Sequence, residues 1–297
     1  SVDKDEVLVK VRLAAICGTD LELARGYYDF DGVPGHEFVG EIASGPEQGQ
    51  RVVADINIGC WQCSDCQNGR FHHCSERSVL GIKARGGAFS EYIAIPRRNL
   101  VAVNSDTPDE VAVLAEPVAA ALRVIEPFED NLPKTALVIG AGRLGYLVAQ
   151  VLRSFGVEVL VYTRNEARFA QLARAGLDYV DSVQTAEFPW IVECSGSKGG
   201  LGLAIDAIAP RGTITLKSTI TEPVPLDLQS LMVNEVSLVG SRCGDLTKAK
   251  AWLSEGYLVP PTSARFGIDQ FDEAIRAATS LEWQKVLIDP QLTRSSS

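Results

Sequence analysis

Cysteines at positions 60, 63, 66 and 74 constrain this chain more than any other feature. The run Cys60-x-x-Cys63-x-x-Cys66, seven further residues and Cys74 put four thiols within fifteen residues. Four thiolates at this spacing close a tetrahedron around Zn²⁺, each at about 2.3 Å, and leave no coordination position open. Such a site holds a fold together and does no chemistry. Gly59, Asn68 and Gly69 permit the sharp turns it needs. Four unrelated thiols are the plain alternative. An iron–sulfur cluster is another, although its familiar spacings differ.

The other three cysteines, Cys17, Cys194 and Cys243, are scattered. An odd count in a long chain without an apolar leader does not resemble a secreted disulfide framework, so a reducing cytoplasm is expected. The chain opens Ser1-Val2-Asp3 and closes Ser295-Ser296-Ser297, which reads as trimming or tagging at either end.

Length and charge narrow the classes further. At roughly 150 residues per domain, 297 residues suggest two domains. Lys and Arg number 28 against 38 Asp and Glu, a net charge of -10. That balance opposes a nucleic-acid backbone or an anionic membrane, since both need a basic footprint. No apolar run approaches the ~18 residues of a membrane span. The most tempting stretch, Val111 to Ile125, is broken by Glu116, Pro117 and Arg123.

Along the chain, the first part is rich in glycine and in short alternating runs. Strands are predicted over 7–13, 39–42, 51–56 and 91–95. After Pro117 the pattern changes. A helix is predicted over 119–126, a strand over 136–139, a helix over 144–155 and a strand over 157–162. Asn165 is the expected N-cap of a helix over 166–175. Apolar runs at 190–192, 213–216 and 237–239 then alternate with helical stretches, which argues for a parallel sheet covered on both faces. Helices over 246–254 and 272–278 and a strand over 285–288 complete the tail.

Gly140-x-Gly142-x-x-Gly145 follows a predicted strand and opens a predicted helix, the setting a dinucleotide fingerprint requires. There the first glycine makes the turn, the second admits the pyrophosphate and the third lets helix and strand pack. A ligand-free glycine loop is the alternative. The next strand ends Tyr162-Thr163-Arg164-Asn165. An NAD site places an acidic residue there, about 20 residues beyond the glycines, for the ribose 2′-hydroxyl. A hydroxyl and a guanidinium suit a 2′-phosphate instead, with Arg168 one helical turn further. In the other reading Arg164 is solvated and Glu166 takes the ribose. The pattern favours NADP, with NAD as the alternative.

Two shorter motifs precede these. Only three histidines occur, and one stands in Gly35-His36-Glu37; a cysteine stands in Cys17-Gly18-Thr19-Asp20. A thiolate, an imidazole and a carboxylate make a zinc site with an open position. Taken singly, His36 reads as a hydrogen-bonded turn histidine and Cys17 as a small buried residue. His72 and His73 read as exposed loop residues of the cysteine lobe.

In this order, with Glu116-Pro117, the motifs resemble those of the zinc-dependent medium-chain dehydrogenase/reductase superfamily, the alcohol and polyol dehydrogenases. Glu116-Pro117 resembles the sorbitol, threonine and glucose dehydrogenase side. The resemblance spans essentially the whole chain. It implies an α/β fold: a GroES-like β-rich catalytic domain over 1–117, a Rossmann doubly wound cofactor domain over 118–242, and a segment over 243–297 returning to the catalytic domain.

It further implies two zinc ions per chain. Cys60, Cys63, Cys66 and Cys74 would hold the structural one. Cys17 and His36 would hold the catalytic one, with Glu37 and Glu116 as direct, exchangeable or water-mediated ligands. Thr19 would take the substrate proton and Asp20 would orient His36. Cofactor contacts are expected from Gly140, Gly142, Arg143, Leu144, Gly145, Thr163, Arg164, Arg168, Cys194 and Ser195. The activity implied is hydride transfer between a secondary alcohol, sugar or polyol and NADP or NAD, in a homodimer or homotetramer joined through the edge of the cofactor-domain sheet. A zinc-independent reductase and a non-catalytic nucleotide binder share the fold. The complete Cys17, His36, Glu37 and Glu116 set speaks against both. Two departures stand out: one or two strands usual at the family's N-terminus are absent, and the loop between Asp20 and His36 is short. Tyr27, Tyr28 and Phe30 in that loop are expected near the pocket, so substrate identity does not carry over.

Overall fold

The structure is a computed structural model that describes residues 5–26, 29–128, 131–218, 223–280 and 282–292. Tyr27 and Tyr28 lie outside the described residues. All seven cysteines are free. The chain divides into two compact units. The first comprises Ser1–Glu116, Asp245–Glu255 and Thr262–Ser297, and the second Pro117–Gly244 and Gly256–Pro261. The tail therefore does not return in one piece, because six residues between its two stretches belong to the second unit.

In the first unit the strands are β1 (Glu6–Ala15), β2 (Glu37–Ile42), β3 (Arg51–Ala54), β4 (Asn57–Ile58), β5 (Ser78–Val79), β6 (Tyr92–Pro96) and β7 (Leu100–Ala102). Four short helices join them: α1 (Gly18–Leu23), α2 (Ser64–Gln67), α3 (Asp109–Ala112) and α4 (Ala115–Leu122), the last crossing the boundary between units. β1 organises the unit. Val7, Val9, Val11 and Leu13 are buried, as the two-residue period of a strand requires. Its first half pairs with β6, its last residues with the C-terminal strand, and its other edge with β2.

In the second unit the strands are β8 (Thr135–Ile139), β9 (Glu158–Tyr162), β10 (Asp178–Val180), β11 (Phe188–Glu193), β12 (Ile208–Leu216) and β13 (Ser237–Gly240). They form one sheet in the order β10-β9-β8-β11-β12-β13, and every pair is parallel. This is the doubly wound order, with its switch point between β8 and β11. Helices α5 (Arg143–Ser154), α6 (Phe169–Arg174), α7 (Lys198–Ala207) and α8 (Leu228–Val233) connect the strands. Residues 145–152 of α5 are all buried. Trp190 on β11 is fully buried and satisfies its indole by donating to Thr215 Oγ1 at 3.0 Å.

The C-terminal stretch contributes α9 (Leu246–Ser254), β14 (Ser263–Gly267), α10 (Phe271–Thr279) and β15 (Lys285–Asp289). β15 joins the first sheet against β1, and β14 extends it in parallel with β15. The larger sheet of the first unit thus runs β14-β15-β1-β2-β3-β7, with β6 also on β1.

Two local expectations are corrected. The helix expected from 119 begins at Ala115, so Glu116 and Pro117 stand in its first turn; proline is tolerated there because it removes no intrahelical hydrogen bond. His72 is not an exposed loop residue. It lies in a 3₁₀ turn over 71–73, half-buried, with Nε2 2.9 Å from Asp55 Oδ2 and its ring against Phe71.

Candidate active site and nucleotide site

Asp20 organises the first cluster. Cys17 follows β1 in extended conformation and caps α1, and its backbone N–H donates to Asp20 Oδ2 at 2.7 Å. Gly35 N donates to Asp20 Oδ1 at 3.2 Å. His36 Nδ1 stands 3.3 Å from the same oxygen, at ion-pair distance but without hydrogen-bond alignment. One buried carboxylate so ties the Cys17 turn to the Gly35-His36 turn. Thr19 places its Oγ1 3.9 Å from Cys17 Sγ.

The strand register delivers the third member. Ala15 of β1 lies opposite Glu37 of β2 and Leu287 of β15. Lys285 is two residues before Leu287, hence on the same face. Its ammonium pairs with Glu37 Oε2, both side chains being almost fully buried.

Sulfur, imidazole nitrogen and carboxylate oxygen of Cys17, His36 and Glu37 lie within 4.8 Å of one another. His36 Nδ1 and Glu37 Oε2 are buried without an aligned hydrogen bond. Burial opposes charge on His36, yet Asp20 and Cys17 outweigh it and hold its pKa well above the usual value. Soft, borderline and hard donors around one point, on an oriented imidazole, fit Zn²⁺. Glu116 is half-buried at the start of α4 and is not one of the three grouped residues. Phe30 lines a cavity of about 500 Å³ with Asp20, Leu23, Pro34, Phe271 and Ile275.

The four-cysteine lobe is assembled as its spacing requires. All four sulfurs lie within 4.8 Å of one another. Cys60 Sγ accepts from the N–H groups of Gln62 and Cys63, which draw its pKa down to about 6. Burial pushes the Cys66 thiol up to about 12. Trp61 packs on Phe71 with ring centroids 4.9 Å apart, and Arg98 lies 5.1 Å from the Trp61 ring.

In the second unit the glycine loop follows β8 and runs into α5. Gly140 has φ +101°, and a Cβ there would stand 2.7 Å from Ser195 Cα. A Cβ at Gly145 would strike the Gly140 carbonyl oxygen. These two glycines therefore let the loop pack on Cys194-Ser195 at the end of β11. Gly142 is exposed, with open space where a side chain would be. Glu193 Oε1 fixes the floor, accepting from Ser195 N at 2.8 Å and from Ser195 Oγ at 2.5 Å. Burial and then Glu193 push the Cys194 thiol far up. Arg143 and Leu144 are half-buried in the first turn of α5. Thr163 is buried just past β9, its hydroxyl accepting from Asn165 N at 3.2 Å; Arg164 and Glu166 are exposed and Arg168 is half-buried.

Comparison with known proteins decides the family. Residues 3–105 match the alcohol dehydrogenase GroES-like domain, and residues 144–255 match the zinc-binding dehydrogenase domain. The chain is 31% identical to an L-threonine 3-dehydrogenase of Chelativorans sp. (strain BNC1), covering 97% of this chain and 92% of the relative. It belongs to the zinc-binding alcohol dehydrogenase family. A sorbitol dehydrogenase of Halalkalibacterium halodurans is 27% identical over 97% of this chain and 92% of the relative. The solved structure of an Escherichia coli CFT073 alcohol dehydrogenase, RspB, complexed with NADH, superposes with TM-score 0.87 at 28% identity, covering 97% of this chain and 93% of that one. The zinc-binding dehydrogenase described here is thus an NAD(P)-dependent oxidoreductase with a GroES-like unit and a Rossmann-type unit.

Sequence reasoning missed one member of the site. Lys285 heads the run Lys285-Val286-Leu287-Ile288, and a lysine opening a wholly buried strand was its only signal. Nothing in the sequence says which acid it meets.

Proposed function

We propose that this chain oxidises a secondary alcohol, sugar or polyol with NADP⁺, or reduces the matching carbonyl, at a zinc ion held by Cys17 and His36. The grouping of Cys17, His36 and Glu37 around one point, with His36 oriented by Asp20, carries the reading. The relatives named for L-threonine and for sorbitol support a substrate with a hydroxyl beside a further polar group.

Zinc, when bound, supplies a Lewis acid that lowers the pKa of an alcohol oxygen, and the nicotinamide accepts the hydride. The rest falls to the chain. Cys17 and His36 fix the metal, and Asp20 holds His36 in one orientation while anchoring the Cys17 and Gly35 amides. Glu37 is an exchangeable ligand, restrained by Lys285, and Glu116 a water-mediated or distant one. Thr19 accepts the hydroxyl proton of the substrate. Cys60, Cys63, Cys66 and Cys74 hold a second zinc that stabilises the lobe.

For the cofactor, no carboxylate stands at the end of β9, and Thr163-Arg164 supports NADP over NAD. In the second unit β13 is an edge strand, and nearby Leu228, Met232 and Val233 are 69%, 73% and 68% exposed. An unpaired edge with exposed apolar side chains supports a homodimer, or a homotetramer built from it, through that edge. Free thiols support a reducing, cytoplasmic setting. Among the described residues no helix is long and apolar enough to cross a membrane.

The test is a panel of secondary alcohols, sugars and polyols with NADP⁺ and NAD⁺, read by cofactor reduction. Turnover of a polyol or β-hydroxy compound supports the reading. Silence across the panel, from protein containing two zinc ions and binding the cofactor, refutes it.

A further inference from the structure

We infer that the cavity between α1 and α10 is a second ligand site, and that it takes a free α-amino acid with an apolar or aromatic side chain. The inference stands apart from the dehydrogenase reading above, because the cavity is lined by none of Cys17, Thr19, His36 and Glu37.

The cavity lies within the first unit, and its volume of about 500 Å³ is in the usual range for small-molecule sites. One wall is α1 with its C-cap, where Asp20, Leu23 and Ala24 stand three and four residues apart on one face. The floor is Phe30, Gly32 and Pro34. The Phe30 ring lies over Gly32, where a Cβ would stand 2.6 Å from it. The other wall is α10, in two rows. Phe271 and Ile275, one turn apart, are half-buried and pack on the core of the first unit. Asp272 and Arg276, each one residue further on, are exposed and form the rim.

The rim selects the ligand. An Asp and an Arg at i and i+4 on a helix ordinarily pair with each other. Here neither side chain has an ion pair or a hydrogen bond among the described residues. An acid in the first turn and a base in the last complement the helix dipole, which accounts for their signs but leaves their hydrogen-bonding capacity unused. Asp20, the third charged group of the lining, is already engaged by the Cys17 and Gly35 amides. A simple anion would meet repulsion from Asp272, and a simple cation from Arg276. A zwitterion suits both, with its ammonium on Asp272 and its carboxylate on the Arg276 fork. Its side chain then covers Leu23, Phe271 and Ile275, and that apolar burial supplies affinity.

Calorimetry on the whole chain, without added cofactor, tests the site with L-leucine and L-phenylalanine as probes. N-acetyl-L-phenylalanine and L-phenylalaninamide each lack one of the two charges. Both amino acids should bind, and each derivative should bind about tenfold more weakly than L-phenylalanine. That is the low end for one charged hydrogen bond, because the rim is exposed. Asp272→Asn and Arg276→Gln, checked for fold by circular dichroism, should each weaken L-phenylalanine by about the same factor. Arg276→Lys, which keeps the charge, should recover part of the loss. Failure of both amino acids to bind, a derivative that binds as well as its parent, or a charge-removing variant that binds like wild type would overturn the site. None of these outcomes bears on the dehydrogenase reading, and a failed alcohol panel does not bear on this one.

Discussion

Lys285 and Glu37 form a buried ion pair between the last strand of the first unit and the motif Gly35-His36-Glu37. Their side chains are 4% and 1% exposed. The pair holds Glu37 beside Cys17 and His36, and it makes the C-terminal strand part of the candidate metal site. Removing one member leaves the other charge buried without compensation, which typically costs ~3–5 kcal/mol. Lys285→Met should therefore lower the unfolding free energy by about that amount, and adding Glu37→Gln should restore much of it. Denaturant titration of the single and double variants checks this. A Lys285→Met midpoint equal to that of wild type would show that the pair contributes nothing.

Thr19→Ala should keep the zinc content and the fold and lose turnover. A positioned proton acceptor is typically worth ~10²–10⁴ in rate. Steady-state kinetics with metal analysis on the same sample separates a chemical role from a structural one. Loss of zinc together with activity would count against the proton role.

Zinc retention by the cysteine lobe should fall with pH. Only thiolates bind the metal, and with Cys66 near 12 its proton is present in the metal-free chain throughout the neutral range. Cys60, near 6, is largely ionised already at neutral pH. Binding thus expels at least the Cys66 proton, and affinity should drop about tenfold per proton for each unit of pH lowered from 8 to 6. Competition with a chelator across that range measures the slope. A pH-independent affinity would mean that the thiols are not the ligands. Cys66→Ser should lower the thermal midpoint while leaving cofactor binding in place.

Gln150 is buried in α5, and its Oε1 accepts from Val259 N at 2.7 Å, holding the 256–261 segment to the second unit. Gln150→Leu leaves that N–H unpaired, at a cost of ~1–3 kcal/mol. Faster amide exchange confined to residues 256–261 is the expected signature, and unchanged exchange there would show that the bond is dispensable.

Much of this was legible because the decisive features are local. The four-cysteine spacing, the glycine fingerprint after an apolar strand, and the alternation of β1 each act within about fifteen residues. The two motifs offered Cys17 and His36 as a possible zinc site and family resemblance assigned them to it, since nothing in nineteen residues of separation shows that the two turns share Asp20. Pairings set by tertiary register stayed hidden. Lys285 meets Glu37 across 248 positions because β15 and β2 flank the same strand, a fact of sheet order and not of pattern. His72 was misread because its partner, Asp55, lies before the lobe. β14 went unseen because Ser263-Ala264-Arg265-Phe266 alternates too weakly to announce a strand, and its neighbour β15 stabilises it.

The central claim is that this zinc-binding dehydrogenase carries two separate metal sites, one for stability at Cys60, Cys63, Cys66 and Cys74 and one for chemistry at Cys17 and His36. Zinc counted per chain by mass spectrometric metal analysis, on wild type and on Cys17→Ser, tests it most directly. The account predicts two zinc ions in wild type and one in Cys17→Ser, which stays folded, binds the cofactor and does not turn over. One zinc in an active wild-type enzyme, or two zinc ions and undiminished turnover in Cys17→Ser, would contradict it.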